Sequence, residues 1–338
     1  MELIMIKTKH YLTPFIIFFI IMFFTSFLVG QYPITPTQVC KILLSRVLPL
    51  KRAWSSVSET VVFNIRLPRI LMAILVGGGL SLSGLVYQGL FQNPLVSPDV
   101  LGTTNGASFG LSVALLLNFS YLGITFTSFF FGLLCVILVL LISSKIRNNK
   151  MLSLILSGIM ISSLFSSLTS FVKLVADTDN TLPAITYFLM GSLSSVRRTD
   201  LLFTSILIII PTIIISFISY QLNLLTQGED EARSMGVNTR LIRTIAILCS
   251  TVITSVCVAT SGVIGWVGLV IPHFTRMLIG CDYKKTIKAS LLLGASFLLL
   301  VDTFARGLTT FEVPLGILTS FIGAPFFLYL IWREGKKL

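Results

Sequence analysis

The sequence predicts an all-α, polytopic integral membrane protein with about ten transmembrane helices. Of its 338 residues, 54% are hydrophobic and only 11% are charged, where a soluble domain carries about 25% charged residues. The apolar residues gather in runs close to the roughly 20 that a membrane-crossing helix needs. Those runs, such as Phe15 to Val29, lack the alternation of a barrel strand. A two-domain soluble enzyme, a disordered or collagen-like chain and an outer-membrane barrel are thereby excluded. A single transmembrane domain over 1–338 accounts for the chain.

The first span, 11–29, follows Lys7 and Lys9. It is longer than a signal-peptide core and no small-x-small site follows, so it reads as a span. The polar stretch from Gln31 to Arg66 holds a helix start at Thr35-Pro36, and Val39, Ile42, Leu43 and Val47 mark a short interfacial helix. Span two, 67–90, is expected to start at Pro68, whose missing N–H suits a first helical turn. Its Gly77-Gly78-Gly79 cluster and Gly84 point to close helix packing. Phe91 to Gly110 is punctuated by Pro, Asn, Ser and Gly, so it must be buried in protein as it leads into span three, 101–117.

Span four, 122–142, precedes a basic loop with Lys145, Arg147 and Lys150, and span five is 151–175. A short apolar helix from Leu182 to Leu193 comes before span six, 201–220. The longest polar region within the membrane portion, 221–243, leads to span seven, 244–261, and span eight, 262–279. Lys284, Lys285 and Lys288 precede span nine, 289–304, and span ten, 313–332, ends in Arg333, Lys336 and Lys337.

A net charge of +12 would suggest nucleic acid in a soluble chain, but here the 25 Lys and Arg sit mostly in short loops and report orientation. Ten spans put both termini on one side, and placing them in the cytoplasm leaves the larger share of these cations inside. Arg66, Arg69, Arg197, Arg198 and Arg306 then fall outside, against the trend. Cys40, Cys135, Cys249, Cys257 and Cys281 form no CxxC pair, so neither a disulfide framework nor a metal site is indicated, and no cofactor is expected. No phosphate loop, HExxH or Ser/His/Asp set occurs, and His10 and His273 lie far apart. The chain is expected not to be an enzyme and to have no ATPase site of its own.

Two constellations stand out. Arg66 and Arg69 share a helix face beside Pro68, where two cations at a helix N-terminus would oppose the macrodipole. Pairing with lipid phosphate or local carboxylates competes there with a docking role, since guanidinium suits all these anions. Arg306 is four residues after Asp302 and reads as an i, i+4 pair. The second is Gly228-Glu229-Asp230-Glu231-Ala232-Arg233-Ser234-Met235-Gly236. Three acids in a first turn and a glycine C-cap give a helix from Glu229 to Met235, with Asn238 or Thr239 capping the next. Two short capped helices form a knob, better suited to protein docking than a solvated loop.

These stretches resemble the FecCD-type permeases, the membrane subunits of ATP-binding-cassette importers for iron chelates, haem and cobalamin. Arg66 to Gly110, Gly228 to Arg240, Gly262 to Gly280 (with Pro272-His273), Leu300 to Arg306 and Glu312 to Ile331 carry the likeness. It implies the type II ABC importer permease architecture in a bacterial cytoplasmic membrane. Its partners would be a second permease copy, as homodimer or heterodimer with a sister permease, two cytoplasmic ATPase subunits, an extracytoplasmic binding protein and membrane lipid, with no nucleic acid. By that likeness Arg66, Arg69 and Arg306 meet carboxylates of the binding protein. Gly228, Glu229, Asp230, Glu231, Ala232, Arg233, Met235 and Gly236 couple to the ATPase. The expected cargo is a ferric siderophore, with haem or cobalamin as alternatives. An ion-gradient-driven transporter is the competing class, and the scarcity of intramembrane acids counts against it.

Overall fold

A computed structural model describes residues 11–46, 48, 49, 52, 54–145, 150–309 and 311–335. Lys7, Lys9, His10, Val47, Arg147, Lys336 and Lys337 lie outside the described residues. The fold is all helical among these residues: α1 (Thr13–Leu28), α2 (Pro36–Leu44), α3 (Ser56–Thr60), α4 (Leu67–Leu90), α5 (Thr103–Leu116), α6 (Tyr121–Lys145), α7 (Lys150–Val175), α8 (Thr181–Leu189), α9 (Arg198–Phe217), α10 (Ser219–Gln227), α11 (Glu229–Ser234), α12 (Thr239–Ser261), α13 (Val267–Ile279), α14 (Tyr283–Gly307) and α15 (Leu315–Gly335). Six helical stretches are long and apolar enough to cross a membrane. The shorter apolar α1, α13 and α15, together with α5, fill the ten expected positions.

The start of the second span differs from expectation. Helix runs unbroken from Ser56 to Leu90, because a π-helical turn over Val61–Arg66 joins α3 to α4. The Leu67 N–H there donates to the Val62 carbonyl, five residues back. Widening of the turn just before Pro68 accommodates the residue that cannot donate, so Pro68 sits inside a helix rather than at its start. Arg66 and Arg69 are consequently mid-helix, and the macrodipole objection to them disappears. Ser55 caps the true start, accepting from the Ser58 N–H at 3.1 Å.

From Val76 to Leu90 every residue of α4 is buried, and it forms the axis on which α14, α12 and α13 pack. Glycine makes these contacts close. A Cβ at Gly84 would lie 1.7 Å from the Gly268 carbonyl oxygen of α13, a distance no side chain survives without backbone movement. Gly84→Ala should therefore destabilise the detergent-purified chain by about 1–3 kcal/mol or more, read as a lowered unfolding midpoint. A midpoint equal to wild type would contradict the α4–α13 contact.

Span eight also differs. Gly262 to Trp266 is not helical, and α13 covers only Val267–Ile279. Gly262 and Trp266 hold φ +67° and +69°, a left-handed backbone that a continuing helix does not permit. The 3₁₀ turn Pro98–Leu101 packs against this bend: Pro98 lies beside Gly268, and Leu80, Asp99 and Trp266 line one small cavity. Two interrupted segments thus meet halfway along α4. The Phe91–Gly110 stretch, expected to be wholly buried, is divided. Gln92 to Leu95 and Asp99 are exposed, whereas Leu101 to Thr104 are buried. Its freed backbone groups find side-chain partners, as irregular backbone at membrane depth requires: Cys135 Sγ donates to the Gly102 carbonyl at 3.1 Å and Asn93 Oδ1 accepts from the Leu95 N–H at 2.9 Å.

Candidate functional site

Two sites emerge, at opposite ends of α4. At the Arg66 end, the structure brings together the three arginines singled out from the sequence, but turns them inward. Arg66, Arg69 and Arg306 are 3%, 6% and 6% exposed. Arg69 Nε donates to Asp302 Oδ1 at 2.8 Å and Arg69 Nη1 to Glu312 Oε1 at 2.8 Å. Asp302 also holds Arg306, through Oδ2 at 3.0 Å, so the i, i+4 pair is present and extended. Arg306 reaches α1 as well, donating from Nη1 to the Val29 carbonyl (3.0 Å) and from Nη2 to Ser26 Oγ (2.7 Å). Arg66 donates to the carbonyls of Phe27 and Tyr32, both at 2.5 Å.

This arrangement has a plain electrostatic cause. The last carbonyls of a helix lack intrahelical partners and carry the negative end of its dipole. Two guanidinium groups, Arg66 from the π turn and Arg306 from α14, satisfy the end of α1, while two carboxylates offset two of the three arginine charges. Each of the three guanidinium groups already has partners inside the chain, so the local carboxylate pairing weighed from the sequence beside a docking role is present at Arg69 and Arg306. Arg306 keeps one outer aspect, lining a cleft of about 670 Å³ with Gly30, Gln31 and Thr35. Glu312, which completes the lock, was missed as a functional residue although it stands in the quoted Glu312 to Ile331 stretch.

At the other end, α11 and the start of α12 form the expected knob, and α10, which the sequence reading did not single out, leads into it. Helix α11 ends one residue earlier than anticipated, at Ser234, with Met235 as its cap. Gly236, at φ +80°, closes it: its N–H donates to the Arg233 carbonyl and the Val237 N–H to that of Ala232, a pairing that leaves few carbonyls unsatisfied. Asn238 Oδ1 then accepts from the Leu241 N–H at 3.1 Å and starts α12. Glu229 is braced within the knob, by Arg233 at 2.5 Å and by Arg243 of α12 at 3.2 Å. Ala232 is fully buried, whereas Asp230, Glu231, Met235 and Gly236 face outward.

The knob is tied to the spans by side chains that sequence reading did not pick out. Asn223 of α10 donates to Asp282 Oδ1 at 3.0 Å and accepts from the Tyr283 N–H at 2.8 Å. Tyr283 Oη reaches the Leu85 carbonyl of α4 at 3.0 Å, and Gln92 Nε2 reaches that of Leu225 at 3.1 Å. A displacement of α10 therefore pulls on α4 and α14 directly. His273 is buried in α13 and belongs to neither site.

Halfway between the ends lies Asp99. Its carboxylate accepts from Thr104 Oγ1 and, at 3.5 Å, from Ser97 Oγ, yet the residue is exposed. An exposed carboxylate at the depth of Leu80 and Trp266 must face water or another subunit rather than lipid.

A model of the FecCD transport family matches residues 18–333. Over 305 residues the chain is 40% identical to the molybdate import system permease protein MolB of Haemophilus influenzae, covering 90% of each chain. It is 39% identical over 273 residues to an iron chelatin transport system permease protein of Helicobacter pylori, covering 81% of this chain and 82% of that one. A solved structure of a metal-chelate type ABC transporter in an inward-facing conformation superposes with a TM-score of 0.85 at 38% identity, covering 95% of this chain and 98% of the other.

Proposed function

The chain belongs to the FecCD transport family, a family of ABC transporter permeases, and from that membership we propose that it forms the translocation path of an importer driven by two separate cytoplasmic ATPase subunits. A second permease copy would complete the path and an extracytoplasmic binding protein would deliver the cargo. The observation that carries this reading is the knob. It is a rigid, capped projection with an exposed acidic face, hydrogen-bonded through Asn223 and Gln92 to α14 and the end of α4. A partner that moves the knob moves the spans, which is how nucleotide-driven closure of an ATPase pair would be converted into alternating access. The knob end and both termini are then cytoplasmic, in the cell membrane of a bacterium.

On this reading the Arg66 end is the docking face for the binding protein. Arg66, Arg69 and Arg306 shape that face, and a visiting carboxylate at the cleft beside Arg306 competes with Asp302 for it. For the cargo we propose an iron chelate of the ferric siderophore type. The resemblance to the Helicobacter relative supports it, and on this reading Asp99 lines the path, where its carboxylate would repel a small oxyanion. The molybdate relative from Haemophilus favours the second reading, an oxyanion cargo. Asp302, held by two guanidinium groups, is poorly placed as a proton relay, which weighs against the ion-driven alternative.

Affinity purification of the tagged chain from its native host, with identification of co-purifying proteins, tests the assignment. An ATPase is expected, and the chain alone with uptake surviving ATP depletion would overturn it. In proteoliposomes, Asp99→Asn should leave ferric-chelate uptake within a few-fold of wild type and raise leakage of molybdate. Uptake of molybdate by the wild-type complex, with none of ferric chelate, would reverse the choice of cargo.

A further inference from the structure

Beside the knob, a groove of about 620 Å³ opens between α6, α7, α11 and α12. Its rim carries Arg233, Arg240 and Arg243 against a single carboxylate, Glu229. Glu229 is shared by Arg233 and Arg243, whereas the exposed guanidinium of Arg240 makes no ion pair with a described residue. The opposite wall, Ile137, Leu140 and Leu141 of α6, is apolar. Ile137 and Leu141 also continue an exposed stripe that begins at Leu122, Phe126 and Phe130. Steps of four and seven residues put these side chains on one helix face, so the stripe runs the length of α6 and ends in the groove.

A basic rim that opens onto an exposed apolar stripe of a membrane-length helix fits one kind of ligand, an amphipathic anion. We propose that this groove binds an anionic phospholipid of the adjacent leaflet, its phosphate under Arg240 and Arg243 and an acyl chain along Ile137 and Leu141. A guanidinium fork matches phosphate oxygens in geometry and charge, and basic pockets between transmembrane helices are suited to such headgroups. A soluble anion would leave the α6 stripe unused, and a zwitterionic lipid would leave the excess positive charge unbalanced. Because Arg243 also braces Glu229 at the first residue of α11, a phosphate seated there steadies the base of the knob.

The test is native mass spectrometry of the full-length chain titrated with phosphatidylglycerol and, separately, phosphatidylcholine. Preferential retention of phosphatidylglycerol is expected. Arg240→Gln should weaken that retention about fivefold, the equivalent of about 1 kcal/mol for one cation near a membrane surface. Leu141→Trp, which fills the groove without changing charge, should also lower it. Both positions are exposed, so an unchanged elution volume serves as the folding control. Equal retention of the two lipids, or retention indifferent to both variants, overturns the proposal. Release of a co-purifying ATPase by Arg240→Gln, with lipid retention unchanged, overturns it too and gives the rim to a protein partner.

Discussion

Asp302→Ala should be among the most destabilising single substitutions in this chain, costing about 3–5 kcal/mol and most of the folded yield. The carboxylate is fully buried and pairs with two arginines whose side chains are themselves buried. Its removal leaves both cations facing a low-dielectric interior with too few acceptors, and neither can lose its charge. Glu312→Gln, by contrast, should cost no more than about 1 kcal/mol, because Glu312 is 29% exposed and water can replace it. The same logic bears on docking. A direct contact role predicts that joint replacement of Arg66 and Arg69 by glutamate abolishes binding-protein-stimulated ATP hydrolysis while assembly survives. The inward-facing guanidinium groups predict instead that assembly fails first. Measuring the unfolding midpoint and the yield of the permease–ATPase complex on one sample separates the two. A normal midpoint with lost stimulation would return the arginines to the surface.

How much of this was legible in the sequence depended on distance along the chain. The knob could be read nearly to the residue, because its determinants are local: acids in the first turn, Gly236 at the end, Asn238 at the next start. The existence of the apolar helices, though not the bounds of the second and eighth, followed from apolar runs for the same reason. The helix start at Ser56 was not legible, since Pro68 reads locally as a first-turn residue and nothing in the sequence announces a π turn before it. Nor was the break at Gly262 to Trp266, because the groups packed around it, Phe188 of α8 beside Gly262 and Pro98 beside Gly268, lie far off in sequence. The inward arginines form the clearest case. Arg66 finds the carbonyls of Phe27 and Tyr32, and Arg69 finds Glu312 across 243 positions of sequence. A pattern rule can say that these cations need partners, but not whether the partners belong to this chain.

The knob supplies the other large effect. Replacing Asp230 and Glu231 together with lysine should abolish ATP-dependent uptake and weaken ATPase association at least about tenfold, because the exposed acidic face would become basic where a complementary surface is required. Both side chains are exposed, and exposed substitutions away from packed features usually change stability by within about 0.5 kcal/mol. The chain itself should therefore fold and insert normally. Glu229→Gln should behave differently. It loosens the braces to Arg233 and Arg243 and leaves the outer face intact, so the ATPase should stay bound while hydrolysis becomes less responsive to delivered cargo. Gly236→Val adds a third signature. A β-branched residue at φ +80° costs about 1–3 kcal/mol locally, unwinding the end of α11 and moving Asp230 and Glu231 out of register. It should reproduce the double lysine phenotype without any change of charge. Co-purification of the ATPase in normal yield with the double lysine variant would remove the knob from the ATPase interface. Normal yield with Gly236→Val alone would show instead that its charge matters and its rigidity does not.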